Sequence, residues 1–131
     1  MAQTKKLHFI VIDDSKLDCF IAEKVIKSTG KSESIKAFLQ AKEALEYIST
    51  APVDDQANTI VFVDIQMPVM NGFEFIEAFE KLPSQLTAHY SIYVISSTIN
   101  ENDLSRVHNY ACVKKFLNKP LTSNTLSILL T

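Results

Sequence analysis

The chain has 131 residues, 47% of them hydrophobic and 21% charged, with 13 lysines and arginines against 15 acids and a formal net charge of -2. A length of this order supports one hydrophobic core without metal or disulfide staples and has no room for a second folded domain. The near-neutral balance, with Lys5-Lys6 and Lys114-Lys115 too short to form a basic stripe, argues against nucleic acid as the main ligand. Only 2 glycines and 4 prolines occur, which excludes collagen-like and low-complexity classes.

No apolar run approaches the roughly 20 residues of a bilayer span, so no membrane association is expected. The polar start, Met1 to Lys6, lacks the apolar stretch and cleavage site of a signal peptide, which points to the cytoplasm. The two cysteines, Cys19 and Cys112, have no CxxC or Cys/His spacing and read as buried free thiols of a reducing compartment.

In chain order, Phe9 to Ile12 is a short apolar run and reads as a strand buried on both faces. Ser15 then caps a helix whose apolar stripe is Leu17, Phe20, Ile21 and Val25, and Gly30 stops it. Ser34 to Phe38 is a weaker strand, interrupted by Lys36 as suits a sheet edge. Ala41, Ala44, Leu45 and Ile48 mark a second helix, followed by a polar surface loop from Ala51 to Asn58. Ile60 to Val63 is the next buried strand, and Phe75, Ile76, Phe79 and Leu82 form the third helical stripe.

A polar surface connection from Leu82 to Ser91 leads to the strand Ile92 to Ile95. The fourth helix carries Leu104, Val107 and Ala111 on one face. Val113 to Leu117, with Lys114 and Lys115, reads as the other edge strand, and a last helix after Pro120 carries Leu126, Leu129 and Leu130. Five βα units imply a doubly wound parallel sheet with helices on both faces, because right-handed crossovers return the chain to the same end. The fold class is α/β, flavodoxin-like (βα)5, with strand order 2-1-3-4-5 and ligands expected beyond the C-terminal strand ends.

That edge collects polar residues: Asp13-Asp14-Ser15 after strand one, Asp64 after strand three, Ser96-Ser97 after strand four and Asn118-Lys119-Pro120 after strand five. Three carboxylates in one crevice repel each other unless a hard divalent cation joins them. Mg²⁺ fits a site of two or three carboxylates and a carbonyl, with Mn²⁺ as a chemical substitute. Lys119 and the Ser96 hydroxyl could then meet phosphoryl oxygens, while the remaining carboxylate serves as nucleophile.

Two stretches resemble the receiver domains of two-component response regulators. Ile10-Val11-Ile12-Asp13-Asp14-Ser15 resembles the family's acidic pair, and Val63-Asp64-Ile65-Gln66-Met67-Pro68-Val69-Met70-Asn71-Gly72 resembles its phosphorylation loop. The resemblance covers essentially the whole chain. It implies Asp64 as phosphoacceptor, Asp13 and Asp14 holding Mg²⁺ with Asp64 and the Gln66 backbone carbonyl, Ser96 as switch hydroxyl, Lys119 as the strand-five lysine and Phe116 as switch aromatic. The chain departs from the family where Tyr110-Ala111-Cys112 stands in place of a small-Gly-Ala stretch before strand five.

The resemblance implies a single receiver domain over 1–131 with no output domain, since the stretch after Pro120 suffices for one helix. Its donor would be a sensor histidine kinase or a histidine phosphotransfer protein, and its effector another protein. Both a diffusible regulator and a relay intermediate fit, and the oligomeric state stays open. Apart from its own phosphorylation and dephosphorylation it is not expected to be an enzyme. The alternative is a small aspartate-nucleophile phosphatase, whose nucleophilic strand normally carries Asp-x-Asp, a pattern absent here.

Overall fold

The computed structural model describes residues 6–67, 69–98 and 100–130. Of the segments read above, residues 1–5, with Lys5, and Pro68 of the loop motif lie outside the described residues. Five strands, β1 (Lys6–Ile12), β2 (Ser32–Phe38), β3 (Ala57–Asp64), β4 (Tyr90–Ser96) and β5 (Val113–Asn118), pair in parallel in the order β2-β1-β3-β4-β5. The expected flavodoxin-like α/β fold is therefore the observed one, with β2 and β5 at the edges. The helices are α1 (Lys16–Ser28), α2 (Ala41–Thr50), α3 (Gly72–Glu80), α4 (Ser84–Thr87), α5 (Glu101–Val107) and α6 (Ser123–Leu129).

Alternate residues of the central strands feed two cores, which is why these runs are apolar throughout. Ile10, Ile12, Val61 and Val63 pack with Ile48 of α2 and Phe75, Ile76 and Phe79 of α3. Phe9, Val11, Phe62 and Ile95 pack with Ala22 and Ile26 of α1 and Leu126 of α6. Among the described residues no helix is long and apolar enough to cross a membrane.

Several local expectations need correction: Leu82, read as part of the third helical stripe, lies past the end of α3, and Ala57 and Asn58, read as loop, open β3. Helix α1 buries Cys19, Ala22 and Ile26, whereas Leu17 and Phe20 are 65% and 59% exposed. At 3.6 residues per turn these sets lie on nearly opposite sides, with Ile21 and Val25 half-buried between them. Cys19, Ala22 and Ile26, not Leu17 and Phe20, form the buried face.

The segment from Leu82 to Ser91 is more than a surface loop: Pro83 opens α4, and Leu86 is buried as its anchor. The expected fourth helix, here α5, ends at Val107, so Ala111 is exposed in the turn that follows. Tyr110 draws that turn back toward α3, where its hydroxyl donates to Glu77 Oε2.

Candidate functional site

The C-terminal ends of β1, β3, β4 and β5 bring Asp13, Asp64, Ser96 and Lys119 to one edge of the sheet. Asp13 follows β1 directly; its backbone N–H donates to the Phe38 carbonyl at 3.0 Å, and its side chain is fully buried. Asp13 Oδ1 accepts the Ser15 N–H at 2.9 Å, while the Ser15 hydroxyl accepts the Asp18 N–H at 3.2 Å as the cap of α1. The same cap thus starts the helix and orients the acid.

Asp64, the last residue of β3, is 6% exposed, and its Oδ1 accepts the Gln66 N–H at 3.1 Å. Gln66 itself is exposed, and Val69 is exposed at φ 68, a left-handed conformation unusual for a β-branched residue. The loop returns through Asn71, which caps α3 in a reciprocal pair with Glu74.

Asp13, Asp14 and Asp64 each offer a carboxylate oxygen within 4.8 Å of the others, with Asp14 exposed and the other two buried. Lys119 reaches into this cluster. Its Nζ lies 2.6 Å from Asp13 Oδ2, 3.0 Å from Asp18 Oδ2 and 3.1 Å from Asp64 Oδ2. All three contacts are charge-assisted, and the shortest is to Asp13, the most deeply buried of the acids. Three hard carboxylate donors within 4.8 Å of one another, with only one lysine to balance them, fit a divalent cation.

Ser96 is buried at the end of β4, and its carbonyl accepts the Lys119 N–H at 2.9 Å. Its hydroxyl donates to the Thr98 carbonyl at 2.8 Å and accepts the Thr98 N–H at 3.2 Å, so it is turned into its own loop. Phe116, on β5 opposite Val94, is half-buried against the core that includes Val107 of α5.

A family model for the response regulator receiver domain matches residues 9–131. The chain belongs to that family. A response regulator receiver protein from Dyadobacter fermentans is 32% identical, with a TM-score of 0.85 over 95% of this chain and 94% of that one. A two-component response regulator from Cytophaga hutchinsonii is 25% identical, with a TM-score of 0.81 over 96% and 95%. A chemotaxis response regulator of Vibrio cholerae shares the fold at 23% identity, with a TM-score of 0.74 over 97% of each chain.

The electrostatics of this receiver domain follow from burial. Desolvation raises the Asp13 carboxyl above its ordinary 3.8, against the opposing pull of Lys119 and the Ser15 N–H. Burial lowers the Lys119 ammonium, but Asp13, Asp18 and Asp64 together outweigh it and hold the group above the usual lysine range. One lysine does not offset the burial of Asp13, whereas three acids offset the burial of Lys119. Desolvation also pushes Cys19 up to about 11 and Cys112 up to about 12. Both free thiols therefore stay protonated at neutral pH, although Cys112 is only half-buried.

The residue that sequence reasoning missed is Asp18. Three positions after the Ser15 cap, it reads as an ordinary first-turn acid, and only the fold brings Lys119 to it. The Tyr110-Ala111-Cys112 departure also has a structural consequence in this receiver domain. Tyr110 joins Arg106, whose guanidinium lies 4.1 Å from the Phe73 ring centroid and 3.2 Å from Glu77, in tying α5 to α3. Hydrogen bonds from Tyr110 and Arg106 hold the Glu77 carboxyl below its usual range.

Proposed function

We propose that this receiver domain takes a phosphoryl group onto Asp64 from a phosphohistidine of a sensor histidine kinase or histidine phosphotransfer protein. It then alters its contacts with an effector protein in the cytoplasm. The observation that carries this reading is the placement of the Asp64 carboxylate, at the end of β3, 3.1 Å from Lys119 and grouped with Asp13 and Asp14. In the transfer, an Asp64 oxygen forms a bond to phosphorus while the phosphorus–nitrogen bond of the donor breaks, its electron pair returning to the imidazole. Lys119 is placed to offset charge on the incoming phosphoryl oxygens.

Mg²⁺, with Mn²⁺ as a substitute, would be held by Asp13, Asp14, Asp64 and the Gln66 carbonyl and would supply charge neutralisation at the phosphoryl group. Ser96 must release the Thr98 carbonyl before its hydroxyl can donate to the phosphoryl group. Its swing opens space beneath α5 that Phe116 fills by turning inward, which changes the face formed by α5, β5 and α6. Incubation with acetyl phosphate tests the reading: labelling should require Mg²⁺ and stop when a chelator removes it. Equal labelling with the chelator present would contradict it.

A further inference from the structure

Three carboxylates meet the Lys119 ammonium, and their fates differ once the site is in use. Asp13 and Asp64 belong to the group able to hold a cation, and Asp64 is also the proposed acceptor; Asp18 stands outside that group. Of the three carboxylates that hold Nζ, only Asp18 is uncommitted.

We propose that Asp18 is the positioning residue for Lys119, holding its ammonium beside Asp64 while the other acids are engaged with cation and phosphoryl group. This rests on the phosphoacceptor reading of Asp64. Asp18 suits the role because its backbone is fixed: its N–H donates to the Ser15 cap, whose own N–H donates to Asp13. A continuous set of hydrogen bonds therefore runs from Asp13 through Ser15 and Asp18 to Lys119 and Asp64. Lys119 is anchored from its other end, where its backbone N–H meets the Ser96 carbonyl.

A lysine side chain has a flexible four-carbon stem, so a fixed carboxylate at its tip removes much of its freedom. The Lys119 side chain is 12% exposed and that of Asp18 37%, so Asp18 is the more solvent-exposed of the pair. Without Asp18 the ammonium is left to Asp13 and Asp64, where it competes with a cation and loses its placement for an incoming oxygen.

The test uses acetyl phosphate at saturating Mg²⁺. The Asp64 oxygen–phosphorus bond forms as the phosphorus–oxygen bond to acetate breaks, and acetate leaves with the electron pair. Asp18→Ala should slow labelling by about ten- to a hundredfold, the scale of a misplaced catalytic group. The isosteric Asp18→Asn, which keeps the helix start, should also be slow. In a Lys119→Met background, Asp18→Ala should cause no further slowing, because the two act as a unit. The Lys119 side-chain nitrogen resonance, read without cation, should shift in both Asp18 variants.

Wild-type labelling rates in both variants, equal slowing in the Lys119→Met background, or an unmoved resonance would overturn the proposal. If the wild type takes no label, the function reading fails and the mechanistic role of Asp18 fails with it. The resonance separately reports whether Asp18 holds the lysine.

Discussion

Gly72 marks the point where the loop after Asp64 comes back against its own strand. Its N–H donates to the Ile65 carbonyl at 3.0 Å, and a Cβ there would lie 2.6 Å from the Asp64 carbonyl oxygen and 2.8 Å from Ile65 Cα. Both obstacles are backbone, so no side chain can yield to make room. Gly72→Ala should therefore cost about 1–3 kcal/mol, the range for overpacking, by displacing the end of β3. Chemical denaturation checks this, and an unchanged midpoint would show that the loop has slack. At this scale the acids and Lys119 were legible because strand ends in a doubly wound sheet share one edge, whatever the details of packing. Asp18 was not legible, because it sits in the first turn of α1 rather than at a strand end, where a first-turn acid reads as helix support.

Helix α1 shows how an apolar pattern can be right about the element and wrong about its face. Leu17 and Phe20 are the large apolar residues, yet Cys19, Ala22 and Ile26 meet the sheet. The periodic pattern weights large apolar residues, so it passes over Cys19 and Ala22, which pack with Ile26 against β1 and α6. Ile26→Ala should destabilise the fold by about 2–5 kcal/mol. Leu17→Ala should stay within about 0.5 kcal/mol, as surface substitutions do. Urea denaturation of the two variants decides between the faces, and a larger loss for Leu17→Ala would restore the original stripe. The strands were more legible than the helices because burial on both faces leaves an unbroken apolar run. Helix α4 has only 4 residues, too few to display a period.

For the whole molecule, the groups with raised proton affinity point the same way in pH. Cys19 and Cys112 shift from 9.0 to about 11 and about 12, and Lys119 shifts upward from 10.5. Each binds its proton more tightly folded than unfolded, so its contribution is complete below the unfolded value and is lost as pH rises through the folded one. The urea midpoint should therefore hold from neutrality to about pH 9 and fall between about 9 and 11. A midpoint that stays level through that window would contradict the assigned burial. The central claim, that this receiver domain is switched through Asp64, is tested most directly by locating the label after reaction with acetyl phosphate and Mg²⁺. Peptide mass spectrometry should find a single phosphoryl group on Asp64 in the wild type and none in Asp64→Asn, whereas stoichiometric label on another residue, or undiminished label in Asp64→Asn, would contradict it.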